Sequence, residues 1–215
     1  MSDSNSDFSR LDWDKGDGLV PAIVQHWRSG EVLMLGYMNA EALAQTQSSG
    51  KVAFYSRSRQ RLWTKGESSG NVLVMKSIRI DCDADTLLVQ AQPHGPTCHL
   101  GTSSCFGDSA EVRPPLAFLA ELDALVAQRH AQRPEGRYTT MLFESGIRRI
   151  AQKVGEEGVE TALAAVAQGD GDLLGEAADL VFHLIVALRA RGLSLADAVD
   201  VLAKRHRGDQ PSWRA

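Results

Sequence analysis

Residues 107–115 read GDSAEVRPP, a polar stretch closed by two prolines, and the chain changes character across it. Proline has no backbone N–H and pushes the preceding residue out of the helical region, so Pro114 and Pro115 end regular structure. Upstream, residues 19–27, 31–38, 51–57, 71–80 and 86–92 are short runs rich in Val, Ile and Leu, most of them separated by Gly, Ser and Asn. That is the pattern of strands and turns. Asn39 stands where it can cap a short helix through Ala40 to Gln47, ended near Gly50. Downstream, residues 116–132, 139–168, 172–191 and 195–207 follow helical periodicity, with Ala, Leu, Glu and Arg dominating. Gly169 to Gly171 interrupts the second and third helices, and Ser194 with Asp197 forms a capping-box pattern with Asp in place of Glu. The sequence therefore predicts two domains: a mostly β, α+β domain over residues 19–107 and an all-α helical bundle over residues 116–207. A polar tail at 1–18, a linker at 108–115 and a short tail at 208–215 complete the division.

Composition narrows the function. With 43% hydrophobic and 23% charged residues the chain has the balance of a globular protein, which excludes wholesale disorder. A formal net charge of -4 supplies no global positive field, so a dedicated nucleic-acid binder is not expected. No apolar run approaches the ~20 residues that span a bilayer, and residues 180–188 are interrupted by His183. Met1 to Asp14 is polar and acidic, unlike a secretory signal, so a cytoplasmic location without membrane partners is expected. The three cysteines, Cys82, Cys98 and Cys105, are an odd number in one short region, which favours thiol or metal chemistry over a disulfide framework.

Asp81-Cys82-Asp83-Ala84-Asp85 is the sharpest local signal. If the run is extended, Asp81, Asp83 and Asp85 share one face and Cys82 the other. Three like charges together call for a cation, and carboxylate oxygens are the preferred ligands of Mg²⁺. Asp81 and Asp85 would then sit ~13 Å apart, so a single ion requires a bend. Thiolates favour Zn²⁺, and three sulfurs leave a tetrahedral zinc one ligand short. Either His94 or His99 fills that position, or water does and the histidines serve as acid–base groups. Arg57, Arg59, Arg61 and Lys65, followed by the loop Gly66-Glu67-Ser68-Ser69-Gly70, suit a small phosphorylated substrate.

In the second half, Glu157 and Glu160 are one helical turn apart, with Ile147, Ile150 and Val154 on one flank and Val159, Leu163 and Val166 on the other. Asp172, Glu176, Asp179 and His183 form a polar stripe on the next helix. If Gly169 and Asp170 make the turn of an antiparallel hairpin, Glu160 faces Asp179 at the same height, with Glu157 and Glu176 one turn away on opposite sides. Four facing carboxylates make a divalent-cation site able to clamp a polyphosphate.

Trp63 to Gly70 (WTKGESSG), Asp81 to Asp85 and Gly95 to Phe106 (GPTCHLGTSSCF) closely resemble the phosphoribosyl-AMP cyclohydrolase family. Tyr138 to Thr140 with Arg149 to Ala165 (RIAQKVGEEGVETALAA) resembles phosphoribosyl-ATP pyrophosphohydrolases, relatives of the all-α MazG-type pyrophosphatases. In this order the two halves resemble the bifunctional family of histidine biosynthesis. The resemblance implies two consecutive hydrolyses, of phosphoribosyl-ATP and then of phosphoribosyl-AMP. It implies Zn²⁺ on Cys82, Cys98 and Cys105, with Cys82 reaching across a homodimer, and Mg²⁺ on Asp81, Asp83 and Asp85. It places a second Mg²⁺ site among Glu157, Glu160, Glu176 and Asp179, with Glu156 and Lys153 nearby. Substrate contacts are expected from Arg57, Arg59, Trp63, Lys65, the loop Gly66, Glu67, Ser68, Ser69 and Gly70, and Lys153. Catalytic roles are expected for His94, His99, Glu157 and Glu160. Met141 departs from the family pattern, where Lys or Arg is common, and Arg137 is its candidate replacement. A zinc nucleobase deaminase would also direct water at a purine, but its His-x-Glu and Pro-Cys-x-x-Cys signature is absent.

Overall fold

Val20, Ala22 and Val24 alternate with less buried neighbours and are themselves almost fully buried, which makes β1 (Val20–His26) an inner strand. It pairs antiparallel with β2 (Val32–Met38) and parallel with β6 (Leu87–Pro93), and β6 pairs antiparallel with β5 (Leu73–Ile80). The sheet order is therefore β2-β1-β6-β5. Pro21 is tolerated in an inner strand because the ladder to β6 begins only at Ala22. The computed structural model describes residues 7–107 and 116–208, and the chain divides between Phe118 and Leu119 into two units. The linker expected at 108–115 lies outside the described residues, as do residues 1–6 and 209–215 of the expected tails.

In the strand-rich unit, α1 (Ala40–Ser49) is capped as expected: Asn39 Oδ1 accepts from the Ala42 N–H at 2.9 Å, and the helix stops at Gly50, whose φ is 68°. A second, two-stranded sheet pairs β3 (Ala53–Ser56) with β4 (Arg61–Thr64). The strand expected over 51–57 is thus shorter, and β4 was not expected. Its four residues are too few to show a period of their own. Phe54 of β3 is fully buried, and its ring lies where a side chain on Gly36 of β2 would sit, 2.4 Å from an added Cβ. Residues 7–18 are not a free tail: Leu11 is buried in the core, Phe8 and Trp13 pack against it, and the Asp12 N–H donates to the Ala84 carbonyl at 2.8 Å.

The other unit comprises α2 (Ala117–Gln132), α3 (Tyr138–Ala167), α4 (Asp170–Ala190) and α5 (Leu195–His206). Gly146, at φ 80° and ψ 171°, interrupts α3. α3 and α4 pack against each other across the short turn at Gln168 and Gly169, and α4 starts at Asp170, two residues before the expected position. Val126, Leu142, Phe143, Ile150, Ile185 and Val186 form the core. Buried Asp123 accepts from Arg189 Nε at 3.0 Å, which ties α2 to α4. Ser194 and Asp197 cap α5 reciprocally. Of the two apolar flanks expected on α3, only the first reaches this core, through Ile150; Val159, Leu163 and Val166 are exposed.

Gly36→Ala pushes a methyl group into the Phe54 ring and is expected to lower unfolding stability by about 1–3 kcal/mol, the usual cost of overpacking, read from the shift in a urea unfolding midpoint.

Candidate metal and phosphate sites

β5 ends at Ile80 and β6 begins at Leu87, so Asp81, Asp83 and Asp85 lie in the connecting turn and not on an extended strand. The turn supplies the bend a single ion requires. Asp81 Oδ1 accepts from the N–H groups of Asp85 and Thr86, both at 3.1 Å, and Ala84 takes a left-handed φ of 63°. As a result one oxygen from each of the three aspartates falls within 4.8 Å of the others. A cation already marks the position: Lys15 Nζ is 2.7 Å from Asp83 Oδ2 and 2.6 Å from Asp85 Oδ2. Its hydrogen bonds are the main cause holding both carboxyls below the usual aspartate range. The donor set, hard oxygens around an ammonium, fits a divalent ion such as Mg²⁺.

The thiols are arranged differently. The Cys105 N–H donates to the Leu33 carbonyl at 2.8 Å and Ser104 Oγ to the Val32 carbonyl at 2.8 Å, so the loop is fastened to β2. This brings Cys105 into contact with Cys98. The Cys98 thiol is pushed down, chiefly by the Leu100 N–H that donates to its sulfur, whereas Cys105 is pushed up by burial and by Cys98. Two sulfurs side by side are donors that a shared soft cation would satisfy. Cys82 is exposed in the acidic turn, 3.9 Å from Asp83 Oδ1. Among the described residues, no group of three potential metal ligands that includes a thiol converges. His99 is exposed with Nδ1 3.9 Å from Cys98 Sγ, and His94 is exposed just after β6. Beside Cys98, Thr97 Oγ1 is buried with no hydrogen-bond partner among the described residues.

A cavity of about 400 Å³ is lined by Ser56, Arg59, Arg61, Trp63, Thr64, Lys65, Gly66, Glu67, Ser68 and Ser69. Arg57 and Gly70 do not line it; Arg57 stacks on Tyr37, 3.8 Å from the ring centre. Glu67 shapes the loop: it accepts the Thr64 N–H at 3.0 Å and pairs with Arg61 at 3.1 Å, and these contacts hold its carboxyl low. Asn71 joins this loop to the cysteine loop. An added Cβ would fall 2.4 Å from its carbonyl carbon at Gly66 and 2.4 Å from its Oδ1 at Gly95, and both glycines have positive φ.

On the helices, Glu157, Glu176 and Asp179 bring one oxygen each within 4.8 Å. Glu160 lies outside this close set, and it is Glu157 that joins Asp179, contrary to the expected facing of Glu160 and Asp179. Glu157 is buried, with Lys153 Nζ at 2.7 Å, and this contact leads in holding its carboxyl below the ordinary glutamate range. Lys153 also reaches Glu156 at 2.9 Å. Glu160 is pushed upward, by desolvation first and then by the charges of Glu157 and Glu176. His183, noted in the polar stripe, is buried against Glu157, its Nδ1 3.5 Å from Oε1. Arg137 precedes the first turn of α3 and Met141 is exposed.

Comparison with known proteins agrees with this two-part layout. Residues 34–107 match the phosphoribosyl-AMP cyclohydrolase family and residues 119–206 the phosphoribosyl-ATP pyrophosphohydrolase family. The histidine biosynthesis bifunctional protein HisIE of Xanthomonas campestris pv. campestris is 68% identical over 197 residues, covering 92% of this chain and 93% of the relative. The protein of the same name from Xylella fastidiosa (strain Temecula1) is 67% identical over 197 residues, with the same shares covered. That of Escherichia coli (strain K12) is 60% identical over 196 residues, 91% of this chain and 95% of the relative. The chain belongs to the bifunctional family of histidine biosynthesis that joins a phosphoribosyl-AMP cyclohydrolase to a phosphoribosyl-ATP pyrophosphohydrolase.

Proposed function

We propose that the helical domain, residues 116–207, cuts phosphoribosyl-ATP to phosphoribosyl-AMP and pyrophosphate, and that residues 19–107 then open the adenine ring of phosphoribosyl-AMP between N1 and C6. The observation that carries this reading is one clustered carboxylate set in each family-matched unit, with the thiol pair in the first alone. Asp81, Asp83 and Asp85 would hold Mg²⁺, as would Glu157, Glu176 and Asp179 with Glu160 beside them; Cys98 and Cys105 would hold Zn²⁺. Such ions neutralise phosphate oxygens and, at the thiols, supply the Lewis acidity that makes water a nucleophile near neutral pH.

The chain's own groups do the rest. Lys153 keeps the Glu157 carboxylate charged against the cost of its burial, and the packing around it keeps it aimed at its neighbours. Arg59 and Lys65, with the N–H groups of Ser68 and Ser69, would take the phosphate of phosphoribosyl-AMP in the loop cavity. Water adds its oxygen to C6, and as the N1–C6 bond breaks N1 takes up a proton. The exocyclic nitrogen stays on C6, giving an imidazole carboxamide. His94 or His99 is the group to carry that proton, and His99 stands nearer the thiols. Cys82 stands apart from the Cys98 and Cys105 pair, which supports a homodimer whose second copy completes the thiol set. Exposed Val159, Leu163 and Val166 provide apolar surface for the same association. No helix among the described residues is long and apolar enough to cross a membrane.

Separate variants test the assignment on one polypeptide. With phosphoribosyl-ATP as substrate, Glu157→Gln is expected to cut pyrophosphate release by about 100-fold or more, beyond the usual loss for a group merely supporting a metal, while added phosphoribosyl-AMP is still opened. Cys98→Ser is expected to release pyrophosphate normally and accumulate phosphoribosyl-AMP. If both variants lose the same step, the division is wrong.

The raised Glu160 carboxyl gives a stability prediction for metal-free protein. A folded pKa above the unfolded value means that Glu160 costs stability once pH rises above about 4.5, its ordinary value. Glu160→Gln is therefore expected to raise the Tm at pH 7, and the gain should shrink as pH falls toward 4.5 in a series of thermal melts.

A further inference from the structure

Behind the helical carboxylates, polar groups run inward in single file. Lys153 Nζ and His183 Nδ1 both address the same oxygen of Glu157, Oε1, at 2.7 and 3.5 Å. His183 Nδ1 is also 2.9 Å from the Asp179 backbone carbonyl. Carboxylate and carbonyl oxygens only accept, so Nδ1 carries a hydrogen. Nε2, on the other side of the ring, is 3.0 Å from Tyr138 Oη, a hydroxyl able to donate or accept. The ring is clamped as well: Tyr138 and Phe182 present themselves edge-on, with centroids 6.0 and 5.2 Å away.

Burial explains why such a chain is needed. Glu157 and His183 are each 4% exposed, whereas Asp179 faces solvent. A carboxylate withdrawn from water is stable only if donors satisfy it. Here Lys153 Nζ supplies the close positive charge at Oε1, and the His183 ring packs against the same carboxylate.

We propose that His183 and Tyr138 are positioning residues of the pyrophosphohydrolase. His183 stands between the side chain of Glu157 on α3 and the backbone of Asp179 on α4, and Tyr138 holds the far side of the imidazole at Nε2. The pair thereby holds the buried Glu157 carboxylate in place beside Glu176 and Asp179, where a divalent ion would bind. This rests on reading Glu157, Glu176 and Asp179 as cation ligands.

The test is a titration of the full chain with Mn²⁺, followed by the electron-paramagnetic-resonance signal of the free ion. The class of sites lost in Glu157→Gln reports on the helical cluster. His183→Leu is expected to weaken that class about 10–100-fold, as for other groups that orient a metal ligand. Tyr138→Phe, which keeps the ring, should weaken it by a smaller factor, and His183→Asn, with an amide N–H near the Nδ1 position, should recover part of the loss. In pyrophosphate release, Tyr138→Phe should raise the half-saturating Mg²⁺ concentration while kcat at saturating Mg²⁺ holds, a split that a folding defect would not produce. Unchanged Mn²⁺ binding in both His183→Leu and Tyr138→Phe, with the class still lost in Glu157→Gln, overturns the positioning role and leaves the metal site standing. An unchanged titration in Glu157→Gln itself overturns both.

Discussion

Repulsion between neighbouring carboxylates is the constraint around which both halves of the chain are organised. Two unit charges 4 Å apart repel by about 1 kcal/mol in bulk water and about 4 kcal/mol near a protein surface. Each half holds three acidic side chains with oxygens within 4.8 Å, an arrangement that positive charge close by stabilises. Lys15 answers this in the turn and Lys153 in the helices. The two answers differ in kind. Lys15 bridges two carboxylates in the space among the acids, in exposed surroundings where an ion pair is weak and readily exchanged for a stronger cation. Lys153 holds Glu157 and Glu156, the first a buried acid, and so supports the cluster without filling it.

The scaffolds behind the acids differ as well. A hairpin turn gathers Asp81, Asp83 and Asp85 by spending side-chain oxygens on its own backbone: Asp81 Oδ1 receives two N–H groups before any ion is considered. Helices cannot bend in that way. They bring acids together by one-turn spacing on one helix and by packing against a second, so the geometry is inherited from α3 and α4 and their shared core. Orienting groups such as His183 then come from the buried side of the helices, whereas those of the turn come from remote segments such as residues 7–18.

That contrast also explains what was legible in the sequence. The halves, most elements and the acidic and thiol residues were visible because composition, periodicity and local spacing carry them. The facing of the helical acids was off by about one turn because counting from a turn at Gly169 and Asp170 misplaces its centre. Asp170 already belongs to α4, so the centre moves back one residue and the partner of Asp179 moves from Glu160 toward Glu157. An extended reading of Asp81 to Asp85 failed because a six-residue connection between paired strands has no room for a strand period. Lys15 was invisible, being 68 residues from Asp83 in sequence, and Leu11 and Trp13 were masked by the acidic residues around them.

Cys82 is the point at which the two chemistries of the strand-rich half meet. It follows Asp81 and precedes Asp83, yet its sulfur is exposed and joins no convergent ligand group of the chain among the described residues. Were it turned inward it would place a soft donor among hard oxygens, where it would compete with the carboxylates for the wrong ion. As it stands, the sulfur is exposed and meets one of those oxygens, Asp83 Oδ1, at 3.9 Å. The Cys98 and Cys105 pair is likewise built without a carboxylate, on a loop fastened to β2 by backbone bonds and by Ser104. Carboxylates and thiols are thus separated by loop within one small domain.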